Sequence, residues 1–313
     1  DESLLTFMHE RFVWSLFIDR YLDKPLLRHV SSKAQIIKYK SSAGQNKSFK
    51  TILSSSKYVR KLTQDQADHE YFDRLYRKYC KLLKNDLIDR NIIIQAVEKV
   101  KEISGAIVLK AIGPGKFAHE LIAVYLSTQA RPAMDGELVI WSVCDELPWF
   151  NGSNRRPDLV RTSIRKVDDR ISLNFELIEL KFISDTIFEK ERYDAIKQIK
   201  AGLELYRSRF LFNENPSSGE LWRKEMINHF IECGTYSPQD AMLLREMQGI
   251  SLESVDVTLT GSIDTFVYTS NLLELNIMEG HQNGYKQDIL DNQYINHIYN
   301  RYFILNKLGA VAE

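Results

Sequence analysis

The sequence predicts an α/β fold with a mixed central sheet flanked by helices, preceded by a mostly helical N-terminal region. Three observations predict it. Strand-like segments at about 137–144, 158–165 and 171–182 follow one another, and Val167-Asp168-Asp169-Arg170 turns the second back into the third. A long helix-like segment from about 188 to 212 then leads toward another strand-like stretch at 255–268. The third segment is apolar on both faces apart from Glu179 and Lys181, as a buried central strand would be. The order helix, strand, hairpin, central strand, helix, strand is an α/β pattern with mixed strand directions.

Taken in order, residues 1–22 place Leu5, Met8, Phe12 and Leu16 at helical spacing. Helices are expected at about 64–84, with Thr63 as cap, and at 86–103, where Ile92, Ile93, Val97 and Val100 share a side and Gly105 lies beyond the end. Ala106–Ile112 looks like a strand, Gly113-Pro114-Gly115 a turn, and Lys116–Gln129 a helix carrying Glu120. The loop Asp145–Gly152 holds the breakers Pro148, Asn151 and Gly152. Beyond the long helix, 220–249 looks helical again, 255–268 reads as strand or hairpin, and a Tyr-rich helix is expected at about 290–307. The expected domains are a helical region at 1–104 and an α/β domain at 105–313.

Composition excludes several classes. The chain has 313 residues, 44% hydrophobic and 27% charged, the content of an ordinary globular protein. No apolar run approaches the roughly 20 residues of a membrane span, and the start lacks a signal peptide's pattern. The start at Asp1 reads as a piece of a longer protein, although proteolytic processing would look the same. Cys80, Cys144 and Cys233 are scattered without ligand spacing, which argues for a reducing, cytoplasmic compartment and against zinc. Gly113-Pro114-Gly115-Lys116 lacks the first glycine and the final Ser or Thr of a phosphate loop, because Lys110 and Phe117 stand there. His119-Glu120 fails as a zinc-protease helix because position 123 is Ala123.

The net charge of zero hides a local bias. Between Lys24 and Gln64 there are ten Lys or Arg, Lys38, Lys40, Lys47 and Lys50 among them, and no Asp or Glu. Serines and the aromatic Tyr39, Phe49 and Tyr58 lie between them. Lys and Arg supply salt-sensitive phosphate attraction and Ser hydroxyls can donate to phosphate oxygens, so this segment is a candidate nucleic-acid contact. A solvated loop or a surface for an acidic partner is the alternative.

The chemistry-bearing residues are Asp158, directly after Pro157, and Glu179-Leu180-Lys181 near the end of the third strand. Ionised groups are rarely buried without partners, yet Glu179 and Lys181 stand in a run of Ile, Leu and Phe. Alternate strand residues share a face, so these two project together. A hard cation such as Mg²⁺ prefers oxygen and takes one or two carboxylates, which Asp158 and Glu179 would supply with the Leu180 carbonyl. Lys181 would then orient water or neutralise a pentavalent phosphate. Two strands joined by a short turn would bring the carboxylates together.

Pro157-Asp158 followed by Glu179-Leu180-Lys181 resembles the bipartite signature of the PD-(D/E)XK nuclease superfamily, over about 105–270. The resemblance implies a restriction-endonuclease-like core of helix, three-stranded meander, helix and last strand. It implies a metal-dependent DNA endonuclease using Mg²⁺, with Mn²⁺ able to substitute, in which Asp158 and Glu179 bind the cation and Lys181 assists the water. Glu120 stands where many members carry a further glutamate. Gln198 and Tyr206 lie where some branches add a glutamine and a tyrosine, at a spacing that departs from the usual close pair. Trp149-Phe150, Arg156-Pro157-Asp158-Leu159 and Gly261–Tyr268 are also similar to nuclease-like ends of anti-phage translocating ATPases, including those linked to DNA phosphorothioation. Expected partners are therefore DNA and an ATPase or translocase domain or subunit, with no membrane and with a homo-oligomer left open. Arg155, Arg156 and Arg161 flank the site and are candidate contacts to the scissile strand. Trp149-Phe150 could stack on a base or pack in the core, and His119 reads as a surface or packing residue. A catalytically silent module that binds DNA or scaffolds a complex is the competing reading.

Overall fold

The computed structural model describes residues 36–43, 47–54, 64–112, 118–150, 155–211, 216–234, 236–269, 284–291 and 294–310. The helix expected over 1–22 and the cap at Thr63 lie outside them. The chain divides into two compact units, residues 1–38 with 52–70 and residues 39–51 with 71–313. Among the described residues no helix is long and apolar enough to cross a membrane.

The basic segment is not helical where it is described. Strands β1 (Ile36–Ala43) and β2 (Lys47–Ser54) form a two-stranded sheet there, in addition to the helices expected for the N-terminal region. Ile, Tyr, Phe and Thr between the lysines favour extended chain, and the basic spacing masked that signal. Helices α1 (Gln64–Leu83) and α2 (Arg90–Ile103) follow close to their expected bounds. Asp89 caps α2 by accepting from the Asn91 N–H at 2.8 Å.

Residues 105–112 form a helix, α3 (Gly105–Ile112), and not the expected strand. An apolar run this short carries no periodicity that separates the two. Two contacts favour the helix. The Ser104 hydroxyl accepts from the Ile107 N–H at 3.4 Å, and Ile107, Val108 and Ala111 are buried together. Helix α3 packs on α2 and on α4 (Ala118–Gln129), so the expected boundary at 105 falls between two helices in contact.

The main sheet has six strands: β3 (Leu138–Val143), β4 (Leu159–Val167), β5 (Arg170–Ile183), β6 (Val255–Val267), β7 (Tyr285–Asp291) and β8 (Tyr294–Tyr299). Their order across the sheet is β3-β4-β5-β6-β8-β7. The first three run antiparallel as a meander, β6 and β8 run parallel to β5, and β7 returns antiparallel. The mixed α/β sheet is as expected. The β4–β5 hairpin closes at Val167↔Arg170, with Asp168 in the left-handed region at φ 55°.

Helix α5 (Phe188–Phe210) follows β5, and two further helices lie between it and β6. The stretch 220–249 divides into α6 (Pro216–Cys233) and α7 (Pro238–Gly249), restarted by Ser237, whose hydroxyl accepts from the Asp240 N–H. Leu173, Phe175 and Leu177 of β5 meet Ile199, Leu203 and Tyr206 of α5 in the main core, with Met226 and Leu244 from α6 and α7. Residues 255–268 give one strand. The expected helix at 290–307 is the strand β8 followed by α8 (Arg301–Lys307), because Asn300 accepts from the Phe303 N–H at 3.0 Å and starts the helix there. Aromatic residues at 294, 299, 302 and 303 mimic a helical stripe while serving two elements.

Helix α5 approaches the sheet at Gly202. A Cβ there would stand 2.6 Å from Pro157 Cγ and 2.9 Å from Leu177 Cδ2, and a proline ring cannot swing away. Ala would raise helix propensity by about 0.5–1 kcal/mol, whereas overpacking costs about 1–3 kcal/mol. Gly202→Ala is therefore expected to lower stability in a urea titration; equal or higher stability would show that α5 can retreat from Pro157 without cost.

Candidate active site

Asp158 stands just before β4 and is fixed from both sides. Its N–H donates to the Ile178 carbonyl at 3.1 Å, and its carbonyl accepts from the Cys144 N–H at 2.9 Å. The register Leu159↔Ile178 therefore continues one step and sets Asp158 opposite Glu179. Asp158 Oδ2 accepts from the Leu180 N–H at 2.7 Å. The N–H and C=O of one strand residue face the same neighbour, so the Leu180 carbonyl is directed to the same side.

Glu179 is 1% exposed. Its Oε1 accepts from Lys181 Nζ at 2.9 Å, while Oε2 is buried and accepts no hydrogen bond among the described residues. Strand alternation turns both side chains toward α5, where Lys181 also meets Glu191 Oε2 and Gln198 Oε1, each at 3.5 Å. Gln198 Nε2 donates to the Arg156 carbonyl at 3.3 Å, so α5 holds both the lysine and the turn leading into Pro157-Asp158.

On the opposite side of β5, a pocket of about 210 Å³ is lined by Glu120, Asp145, Asp158, Leu180, His119 and Phe182, with apolar residues between them. Glu120 pairs with Lys110 at 3.8 Å. Asp145 pairs with Arg156 through Nε. Glu179 is not on the pocket wall; it reaches the same sheet end through β5 itself.

The charges at this end oppose one another. Burial pushes Asp158 up to about 6, against the Leu180 N–H and Lys181, with Glu120 and Asp145 adding to the rise. Burial and then the Asp158 charge hold Glu179 well above the usual carboxylate range, although Lys181 and, more weakly, the Asp158 N–H pull it down. Burial and Asp145 raise Glu120, which Lys110 opposes. Burial disfavours the Lys181 cation, but Glu179, Asp158 and Glu191 together raise it.

The sequence-predicted residues divide accordingly. Asp158, Glu179, Leu180, Lys181, Glu120 and Gln198 converge at one end of the sheet. Arg161 does not: two residues farther along β4 than the pocket-lining Leu159, it is buried and held by Glu137 at 3.1 Å. Arg156 is engaged by Asp145, and Arg155 is exposed beside the turn. Tyr206 lies in the core, where its hydroxyl accepts from Trp149 Nε1 at 3.0 Å; Trp149 and Phe150 are core residues too. Lys38 and Lys40 fall on β1 and Lys47 and Lys50 on β2. Sequence reasoning missed Asp145, Glu191 and the pocket positions of His119 and Phe182. Asp145 could have been found, since it lies two residues beyond the strand that must pair beside Asp158.

Among the described residues, no three His, Cys, Asp or Glu side chains gather as a metal-holding group. A cation here would rely on two carboxylates, a main-chain oxygen and water, a set within the habits of Mg²⁺. Comparison with family models, with curated proteins and with solved structures gave no match.

The raised Asp158 has a measurable consequence. An unfolded Asp titrates near 3.9, so between about pH 4 and pH 6 the folded chain holds the extra proton and stability falls as pH rises. The loss is about 2 kcal/mol, allowing for water on the pocket side. Urea titrations at pH 4 and pH 8 without divalent cations should show Asp158→Asn removing that share of the fall and exceeding the parent in stability at pH 8. An unchanged pH dependence would contradict the burial of this carboxyl.

Proposed function

We propose that the chain is a divalent-cation-dependent deoxyribonuclease of the PD-(D/E)XK type, with a restriction-endonuclease-like core, and the nuclease part of a larger bacterial defence or DNA-processing protein. The order α4, β3, β4, β5, α5 and, after the two inserted helices α6 and α7, β6 supports this reading, since it contains the helix, meander, helix and strand order of that core. The observation that carries it is the Glu179 carboxyl, buried with one oxygen unpartnered beside an Asp158 whose own oxygen is aimed by the Leu180 N–H. An unsatisfied buried carboxylate oxygen is costly, and a cation removes the cost.

Asp158, Glu179 and the Leu180 carbonyl would hold Mg²⁺, or Mn²⁺ in its place. When bound, the cation polarises the phosphate and lowers the pKa of the attacking water. Lys181 Nζ, anchored by Glu179 and Gln198, would orient that water and offset charge on the phosphate. The water oxygen bonds to phosphorus, the bond to one bridging oxygen breaks, and the water's proton ends on that leaving oxygen. Glu120 faces Asp158 across the pocket and would hold a water or a second carboxylate position. The basic stretch 24–64, with Arg155, would hold the DNA backbone, while a translocating ATPase domain or subunit would deliver the DNA.

The ion pairs of Lys181 with both Glu179 and Glu191 favour the alternative, a closed site in a silent module that binds DNA or scaffolds a complex. Purified protein incubated with plasmid and single-stranded circles separates the two. Mg²⁺ or Mn²⁺ should give nicked or linear products, and Lys181→Ala should slow this by roughly 10²–10⁴-fold with DNA affinity retained. No product from either DNA with either metal would overturn the enzyme reading.

A further inference from the structure

The pocket beside Asp158 has a wall that phosphate chemistry does not use. Phe182 and His119 line it, with ring centroids 5.4 Å apart and planes inclined by 42°. Behind Phe182 lies Tyr268, stacked at 5.2 Å and 12°, and His119 also meets Tyr268 at 5.7 Å. All three rings are only partly buried. The Tyr268 N–H donates to the Ile183 carbonyl at 3.1 Å, which ties this corner to the end of β5.

We infer that this aromatic corner receives one unpaired nucleobase of DNA, so that the substrate is single-stranded or locally unpaired beside the scissile phosphate. The inference rests on the nuclease reading. Strand alternation supplies the geometry: Lys181 faces α5 and Phe182 faces the pocket, so a nucleotide crossing the end of β5 meets a cation with its phosphate and a ring with its base. Charge supplies the direction. Among the described residues the pocket's lining holds no Lys or Arg to grip a phosphate, whereas its rings offer a face to an uncharged base. Size supplies the limit. About 210 Å³ is below the roughly 300–1,000 Å³ of clefts that hold drug-sized ligands, so one ring system fits and a base pair does not. Aromatic faces stack on any base, at about 1–3 kcal/mol each, so the corner selects unpaired DNA without selecting sequence.

The test pairs binding with cleavage. Anisotropy of a fluorescent oligothymidylate in Ca²⁺, against a duplex of equal length, should show tighter binding of the single strand. Phe182→Ala should weaken single-strand binding about 5–150-fold, the range those stacking energies give, with duplex binding unchanged. Phe182→Tyr should restore it, and circular dichroism should show both variants folded. His119→Ala should weaken the single strand too, which covers the case of a misfolded Phe182→Ala. Equal binding of single strand and duplex, or folded Phe182→Ala and His119→Ala proteins with parental single-strand affinity, would overturn the inference. Cleavage in Mg²⁺ is scored separately. Faster cutting of duplex than of single strand overturns the inference alone. No cutting of either, with Phe182-dependent binding intact, overturns the nuclease reading and leaves base capture supported.

Discussion

Glu179 sits on the central strand of the sheet with one carboxylate oxygen bonded to Lys181 and the other buried without a well-formed hydrogen bond among the described residues, the Asp158 N–H lying close to the carboxyl. Leaving a buried acceptor unmet costs about 1–3 kcal/mol, more for a charged group. The fold tolerates this because β5 is held on both flanks, by β4 through nine register pairs and by β6 through thirteen. Leu173, Phe175 and Leu177, on the same face as Glu179, supply the apolar packing against α5. The site is therefore an extension of the core face of β5, begun by apolar residues and ended by charged ones.

A second buried ionic group in the same sheet shows what a fully met one looks like. Arg131 donates to both oxygens of Asp264, at 2.6 and 2.8 Å, to Glu176 Oε1 at 2.8 Å and to Ser262 at 3.0 Å. Such bidentate pairing is the strong form of the interaction. Asp264 stands in register with Leu180, so this network fixes β6 beside the residue whose N–H aims Asp158. One network is complete and structural. The Glu179 group, one step along the sheet, is left incomplete, and its strand position neighbours that of Asp158.

What the sequence made legible follows from strand physics. A Pro-Asp pair at a strand start and two charges two residues apart in an apolar run are visible without a structure, and the strands carrying them formed where expected. So did the hairpin at 167–170. Gln198 was placed by resemblance alone, and α5 does bring it to Lys181. What failed depended on tertiary contact. Ala106–Ile112 is helical because α2 and α4 pack on it, β8 is a strand because β6 pairs with it, and Arg161 is withdrawn because Glu137 is there to meet it. Asp145, Glu191 and Phe182 acquire meaning only from neighbours distant in sequence, which periodicity does not report.

The central claim is that the unmet Glu179 oxygen and Asp158 together form a cation seat. Water-proton relaxation during titration with Mn²⁺ reads this directly, without DNA and without turnover. The account predicts one saturable site on the parent protein that Mg²⁺ displaces, and loss of that site in both Glu179→Gln and Asp158→Asn. Undiminished Mn²⁺ binding in both variants, or no saturable site on the folded parent, would contradict it.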